Sequence, residues 1–252
     1  MTPPPKTSAG EAAKAGQKAA LPKRLYKDAT VKAEAGGAAV ELDGKPVRTP
    51  GKAPFSLPSQ ALAEAVAEEW RAQGERIVPE TMPLTRLANS AIDGVAGREE
   101  AVIDDILAFA GSDLLCYRAE GPRGLIDAQN RQWDPVLAWA KEALGAPLVL
   151  AEGVMPVTQP EASLRRLKEP LVAREPFSLA ALHVMTTLTG SALLALAVAL
   201  GRLTPEEAWQ AGHVDEDFQI SQWGEDAEAK TRRETRWRDF AAAAQMLKLL
   251  QV

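Results

Sequence analysis

The sequence has very little cysteine and histidine. Its 252 residues include one cysteine, Cys116, and two histidines, His183 and His213. A single thiol excludes a disulfide framework and a thiolate metal cluster, and two imidazoles exclude a histidine-rich metal site. No base lies beside Cys116 in the sequence, so we expect this thiol to be packed and unreactive.

Phosphate-binding motifs and an excess of positive charge are also missing. No G-x-x-x-x-G-K-[ST] or G-x-G-x-x-G segment occurs, which argues against nucleotide hydrolysis and predicts no cofactor. The 29 Lys and Arg residues against 34 Asp and Glu residues give a net charge of −5. This balance argues against nucleic acid as the main partner, because phosphate contacts require a basic surface.

The apolar residues that are present favour helix. They make up 46% of the chain, and 46 of them are alanines. Alanine has the highest helix propensity, and its small side chain lets helices approach one another closely. The length suits one large domain or two small ones, and we expect the fold to be predominantly helical.

Composition changes along the chain divide it into three parts. Residues 1–22 are rich in Pro, Ala, Lys and Gly, cannot bury enough apolar surface to order themselves, and are predicted to be a disordered tail. The tail has neither the apolar core of a secretory signal nor the arginines of a mitochondrial presequence, which favours a bacterial cytoplasm. Residues 23–82 are predicted to form a small β-rich domain with one helix, and residues 83–252 a helical domain.

Local signals support this α+β reading. Alternating residues around Gly36-Gly37 and Asp43-Gly44 predict short antiparallel hairpins, after which Ser59 begins an amphipathic helix. Pro83, Asp134-Pro135 and Thr204-Pro205 each predict a further helix start. Residues 176–201 contain no charged side chain, so we expect a buried core helix there, with a membrane span as the alternative.

Two acidic segments near the C-terminus are the candidate functional region. Asp215-Glu216-Asp217 follows His213, and Glu225, Asp226 and Glu228 open a helix whose first half offers few apolar anchors. Such a helix predicts a groove or a partner surface. No acid–base pair, nucleophile elbow or triad is recognisable, so no catalytic residue is predicted. The alternative that stays open is a metal-dependent hydrolase using Asp215, Asp217, Glu225 and Asp226.

Several short stretches together resemble one family, the assembly chaperones of the F1 part of ATP synthase that attend the alpha subunit. The resemblance spans about residues 24–250, with Leu25 standing where the family pattern has Phe and Ser90 where it has Thr. The matching stretches are Arg24-Leu25-Tyr26-Lys27, Leu42-Asp43-Gly44, Thr49-Pro50, Glu69-Trp70, Met82-Pro83-Leu84-Thr85, Ala91-Ile92-Asp93, Asp113 to Ala119, Trp133-Asp134-Pro135, Gly190-Ser191, Asp215-Glu216 and Trp223 to Glu228.

The resemblance implies a monomeric, ATP-independent chaperone that is not an enzyme. It would bind the unassembled F1 alpha subunit, shield its beta-facing interface and release it during assembly, in the mitochondrial matrix for eukaryotic relatives. It implies partner contact for the residues of the acidic motifs, namely Glu225, Asp226, Glu228, Asp215, Glu216 and Trp223. Trp70, on the helical stripe of Leu62 and Val66, is expected to be structural.

Overall fold

The structure is a computed structural model that describes residues 21–153 and 155–250. The tail predicted over residues 1–22 lies, apart from its last two residues, outside the described residues. A small antiparallel sheet precedes ten α-helices in the described part, which confirms the predicted fold class. The strands are β1 (Ala29–Glu34), β2 (Gly37–Leu42), β3 (Lys45–Pro46), β4 (Ser56–Leu57), β5 (Tyr117–Arg118) and β6 (Ala151–Glu152). The helices are α1 (Gln60–Arg71), α2 (Pro83–Ser90), α3 (Glu99–Gly111), α4 (Arg123–Ala143), α5 (Glu161–Val172), α6 (Pro176–Thr189), α7 (Ala192–Ala199), α8 (Pro205–Gly212), α9 (Val214–Trp223) and α10 (Ala227–Leu249).

Strand β2 is the centre of the N-terminal sheet. It pairs antiparallel with β1 along its whole length, with Val31 opposite Val40, and its other edge is shared by β3 and β4. The two turns fall where the glycines predict them, and both Gly36 and Gly44 have positive φ. Strand β3 is only two residues long and includes Pro46, which has no N–H to give to a ladder.

The helix predicted after Ser59 is α1. The Ser59 hydroxyl accepts a hydrogen bond from the Leu62 N–H at 3.1 Å and donates to the Leu249 carbonyl at 2.8 Å. Leu62 and Val66 are fully buried against the sheet. Ser59 therefore both caps α1 and ties it to the end of α10.

Two helical predictions are wrong, and the first concerns Asp134-Pro135. Helix α4 runs straight through Pro135 instead of beginning there. The Asp134 carboxylate, which would have capped a new helix, accepts a hydrogen bond from Arg118 at 2.6 Å. Trp133 is fully buried, and its Nε1–H donates to the Ala211 carbonyl at 2.7 Å. These tertiary contacts stabilise α4 across the one backbone hydrogen bond that proline removes.

The second correction concerns the uncharged residues 176–201. They form two helices, α6 and α7, because Gly190 ends α6 in the left-handed conformation at φ 71°. The Ser191 hydroxyl then caps α7 by accepting from the Leu194 N–H. Both helices are buried along most of their length, and no helix among the described residues is long and apolar enough to cross a membrane.

One continuous apolar core connects the sheet to the helices. It extends from Ala38 and Val40 of β2, through α1 and the uncharged pair α6 and α7, to Met246 and Leu247 of α10. The capping box at Thr204, where the hydroxyl and the Glu207 carboxylate satisfy each other's backbone N–H groups, starts α8 as predicted. The C-terminal half of α10, which includes Met246 and Leu247, is packed against this core.

Candidate partner-binding site

Several of the short motifs meet in pairs and hold the fold together. The Asp93 carboxylate accepts hydrogen bonds from the Thr49 hydroxyl at 2.7 Å and from the Gly51 N–H at 2.8 Å. The Asp43 carboxylate likewise accepts from the backbone N–H groups of Lys27 and Asp28. These aspartates connect segments far apart in sequence, so their role in the structure is architectural.

The half-buried Glu69 and the buried Asp113 are carboxyl groups that cap other segments. Glu69 accepts from the Leu84 and Thr85 N–H groups at 2.7 and 2.8 Å, which caps α2 from the end of α1. Asp113 is fully buried and accepts from the Leu115 and Leu193 N–H groups, each at 3.1 Å. Burial raises the pKa of both groups, that of Asp113 to about 6.

Trp70 lies half-buried at the end of α1. Its ring packs edge-to-face with Tyr26 at a centroid distance of 5.7 Å, and the Tyr26 hydroxyl donates to the Trp70 carbonyl at 2.7 Å. The indole Nε1 has no hydrogen-bond partner among the described residues. A structural role for Trp70 stays a prediction, and these contacts show what its removal would disturb.

The acidic motif occupies the junction between α9 and α10. Gly224 makes this sharp junction at φ 86°, and Trp223 just before it has 80% of its surface exposed. A shallow groove of about 250 Å³ lies between the two helices. Its lining brings together four of the six predicted contact residues, which are Glu216, Trp223, Glu225 and Asp226.

Each acidic residue of the second segment has a local partner. Asp226 is the N-cap of α10 and accepts from the backbone N–H groups of Glu228 and Ala229 at 3.0 and 2.9 Å. Glu225 pairs with Lys230 at 3.2 Å, and Glu228 pairs with Arg232 one turn later at 2.7 Å. Exposed pairs of this kind contribute little to stability, so they are free to exchange partners.

The first acidic segment faces in two directions. The Asp215 carboxylate accepts from the Gln129 amide at 2.8 Å, and Asp217 pairs with Arg233 at 2.5 Å. Glu216 forms no hydrogen bond or ion pair within the described part of the chain, and it lines both the groove at Trp223 and a neighbouring cavity. It is half-buried, and its charge acts on the nearby Arg233, which lines the same groove.

The neighbouring cavity, of about 380 Å³, contains His213 and Arg236 beside Asp215 and Glu216. The His213 Nδ1–H donates to the Trp209 carbonyl at 2.7 Å, which leaves the buried Nε2 without a partner among the described residues. Burial lowers the pKa of His213, and the nearby guanidinium groups of Arg236 and Arg233 lower it further. No pattern in the sequence pointed to Gln129 as a partner of Asp215, whereas Arg236 follows Arg233 at the helical spacing of three.

The open alternative of a metal-dependent hydrolase gains no support from this geometry. Its four proposed ligands all have other partners. Asp215 accepts from an amide, Asp217 and Glu225 are each paired with a cation, and Asp226 caps the N-terminus of a helix. Among residues 21–153 and 155–250, no three His, Cys, Asp or Glu side chains form a group that could hold a metal ion.

Comparison with known proteins shows which family this chain is similar to. Residues 23–141 match the family described as ATP12 chaperone protein. The Atu1473 protein of Agrobacterium tumefaciens is 52% identical, with a TM-score of 0.88 over 91% of this chain and 87% of that one. Atp12 from Paracoccus denitrificans is 43% identical, with a TM-score of 0.84 over 91% of this chain and 98% of that one.

A more distant relative is the mitochondrial protein atp12 of Schizosaccharomyces pombe. It is 24% identical over 214 residues, which are 80% of this chain and 74% of the relative. These matches confirm the resemblance that the motifs carry. The chain belongs to the ATP12 chaperone family of F1-ATPase assembly factors.

Proposed function

We propose that this protein binds the unassembled F1 alpha subunit, shields its beta-facing interface and releases it when a beta subunit arrives. The observation that carries the proposal is the exposed Trp223 beside the groove between α9 and α10, in a member of a chaperone family. A large aromatic side chain left in solvent beside a groove has the character of a binding hot spot. We call this surface, lined by Glu216, Trp223, Glu225 and Asp226, the acidic groove.

The physical task explains why such a surface is useful. An orphan subunit exposes an apolar interface and aggregates, and a binder of that state lowers its free concentration by mass action. The chaperone complex must also be replaceable by the final alpha–beta interface. No chemical step is required, in keeping with the missing phosphate-binding motifs, and we propose that the protein acts without ATP and without catalysis.

The acidic groove suits an exchange of ion pairs. Glu225 and Glu228 are paired with Lys230 and Arg232 on the surface, while Glu216 forms no ion pair within the described chain and interacts electrostatically with Arg233 across the groove. A basic residue of the alpha subunit would compete with Arg233 for Glu216 and with Lys230 for Glu225. Such charges chiefly set the association rate and the orientation, whereas Trp223 supplies apolar contact area.

Co-expression with the F1 alpha subunit of the same organism, followed by size-exclusion chromatography, tests the proposal. We expect alpha to co-elute with this protein and to leave it when beta is added. Alpha that aggregates equally with and without this protein would contradict the proposed function. The same column tests a further part of the proposal, that the free protein is a monomer.

A charge-reversed variant tests the groove itself. Glu225→Lys with Glu228→Lys removes two carboxylates while leaving the Asp226 cap in place, so we expect normal folding and weaker binding of alpha. Glu142→Lys with Glu152→Lys is the matched control, because both glutamates are exposed and lie on other elements. Equal binding by both double variants would remove Glu225 and Glu228 from the interface. We also propose a bacterial cytoplasmic location; the similarity to proteins of Agrobacterium tumefaciens and Paracoccus denitrificans supports the bacterial origin alone.

A further inference from the structure

We infer that Leu25, flanked by Lys23 and Lys27, forms a second contact with the client alpha subunit, seated in an apolar pocket that carries carboxylates on its rim. This inference rests on the proposed function for the identity of the client. Its chemistry follows from the N-terminal segment alone. None of its three residues lines the acidic groove.

The exposure of Leu25 is unusual in this protein. Its side chain is 90% exposed, the largest value among the exposed large hydrophobic residues of the described chain. A single exposed leucine in a mobile loop would need no explanation. The segment around Leu25 is instead anchored at every neighbouring residue.

Arg24 fixes the backbone on both sides of Leu25. Its Nε–H donates to the Tyr26 carbonyl at 3.1 Å, and its Nη2 donates to the Lys27 carbonyl at 2.7 Å. Its Nη1 donates to the carbonyl of Arg71, the last residue of α1, at 3.2 Å, and its backbone N–H donates to the Glu75 carbonyl at 2.9 Å. The guanidinium group therefore holds in place the segment of chain that presents Leu25.

Tyr26 and Lys27 complete the anchoring. Tyr26 is held against Trp70 by its ring and by its hydroxyl group. The Lys27 N–H donates to the Asp43 carboxylate at 3.0 Å, and hydrogen bonds from the Asp28 and Lys27 backbones lower the pKa of that carboxyl group. A segment that is ordered before binding loses little conformational entropy in a complex, which favours affinity.

The alternation of an extended segment places three side chains outward. Arg24 and Tyr26 are part-buried and make the contacts above, whereas Lys23, Leu25 and Lys27 are exposed. This is the period of two that an extended chain imposes. The outward face therefore presents an apolar side chain between two cations.

The two lysines are exposed and form no ion pair with any residue that the structure describes. The charge of Lys27 acts on the nearby Asp43 carboxylate, and the side chains of Asp28 and Glu75 belong to the same region. Residues 23–59 as a whole contain seven Lys and Arg against four Asp and Glu, a net charge of +3, in a chain whose total is −5. Carboxylates around the client's pocket complement such a face.

Variants of Leu25 test the inference directly. We expect Leu25→Ala to weaken alpha binding at least about tenfold, as expected of a buried interface anchor, and Leu25→Asp to weaken it more. Thermal unfolding should be unchanged, because the side chain packs on nothing within the described chain. Val172→Ala, at a 60% exposed position on α5, is the matched control and should bind as the unchanged protein does.

The lysines provide an independent readout. Lys23→Gln with Lys27→Gln should slow association by several-fold at low salt and have little effect at high salt. Full affinity of both Leu25 variants for alpha would overturn the inference while leaving the proposed function intact. Loss of binding accompanied by a lower melting temperature would also overturn it, since Leu25 would then be structural. Failure of the unchanged protein to bind alpha would overturn both proposals.

Discussion

Asp113 is a buried carboxyl group at the meeting point of two segments. One oxygen accepts from the short turn that starts at Leu114, and the other accepts from the N-terminus of α7 at Leu193. The Leu114 N–H also donates to the Gly190 carbonyl at 3.1 Å, so both sides of this junction are fixed. Hydrogen bonds to a buried carboxyl group offset only part of the cost of burying it, and its pKa is raised to about 6.

Asp113→Asn should destabilise the protein by about 1–3 kcal/mol. The amide keeps one acceptor oxygen but turns an NH₂ group toward backbone donors, which leaves buried groups unsatisfied. Urea denaturation at pH 7 measures the loss. Asp105→Asn, at an exposed position of α3, is a control for the chemical change. A loss smaller than about 0.5 kcal/mol would contradict the bridging role of Asp113.

The raised pKa of Asp113 also predicts a pH dependence with a definite sign. Between the ordinary value of 3.8 and about 6, the folded protein binds a proton that the unfolded chain does not. The free energy of unfolding should therefore rise as the pH falls from 7 to 5, by about 1 kcal/mol from this group. The difference between the unchanged protein and Asp113→Asn isolates this contribution from that of His213, which has the opposite sign. Parallel pH profiles would contradict the prediction.

Single residues show where sequence reasoning succeeds and fails. Ser59 and Thr204 act as helix caps as predicted, because a capping side chain bonds to its own helix and is readable locally. Asp134 carries the same local signal, but its carboxylate is taken by Arg118, sixteen residues away. That partner is visible only once the chain is folded, and the same holds for Gln129 and Asp215.

At the scale of elements, the C-terminal ends of α6 and α8 approach each other closely at Thr189 and Gly212. A methyl group added at Gly212 would lie 2.9 Å from the Cβ and Cγ2 atoms of Thr189. Thr189 is buried, and its hydroxyl donates to the Met185 carbonyl at 2.8 Å, so it has little freedom to move. The glycine therefore sets the distance between the two helices.

Gly212→Ala should destabilise the protein by about 1–3 kcal/mol through this overlap. Gly111→Ala is the matched control, because an added methyl group there meets no atom within 4 Å at the end of α3. The control should be neutral or slightly stabilising. Thermal unfolding of the two variants tests this prediction. Equal melting temperatures would show that α6 and α8 can move apart without a loss of stability.

Helix α10 has two halves with different roles. Its N-terminal half is exposed and carries the ion pairs of the acidic groove, while apolar packing begins at Trp237 and Phe240. The sequence predicted this division from the scarcity of apolar residues before Trp237. It also predicted a groove or a partner surface at this half, but not the position of the groove, which requires the Gly224 junction and the direction of α9.

Asp226 variants separate capping from binding. Asp226→Ala removes the acceptor for two backbone N–H groups and should cost about 1 kcal/mol of stability, whereas Asp226→Asn should cost a few tenths. Hydrogen exchange in the first turn of α10 measures the fraying directly. If alpha binding falls equally in both variants, the charge of Asp226 contacts the client; if only the alanine variant is affected, its role is to hold the helix end.

On the scale of the whole molecule, the sheet and the helices share one core. The predicted boundary at residues 82 and 83 falls between two segments that Glu69 joins, and Ser59 is bonded to the last turn of α10. The boundary stays a prediction. The change from strand to helix was readable from hydrophobic periodicity, whereas the continuity of the core depends on contacts between distant residues.

We therefore expect the protein to unfold in one cooperative transition. Far-ultraviolet circular dichroism and tryptophan fluorescence should give coincident curves in urea, since Trp70 reports near the sheet and Trp209 reports within the helices. Asp113→Asn should shift both curves together. Two separated transitions would instead support independent N-terminal and helical domains.

The single cysteine has a practical consequence for following the client. Burial raises the pKa of the Cys116 thiol to about 12, and the nearby Asp113 adds to the effect. At neutral pH this sulfur is a poor nucleophile, and it should not react appreciably with maleimide reagents. One new cysteine placed on the surface can thus carry a fluorophore at a known position, with the native chain left otherwise unchanged. Labels beside Trp223 and beside Leu25, in separate preparations, would record in real time which end of the molecule the client reaches first and which it leaves last.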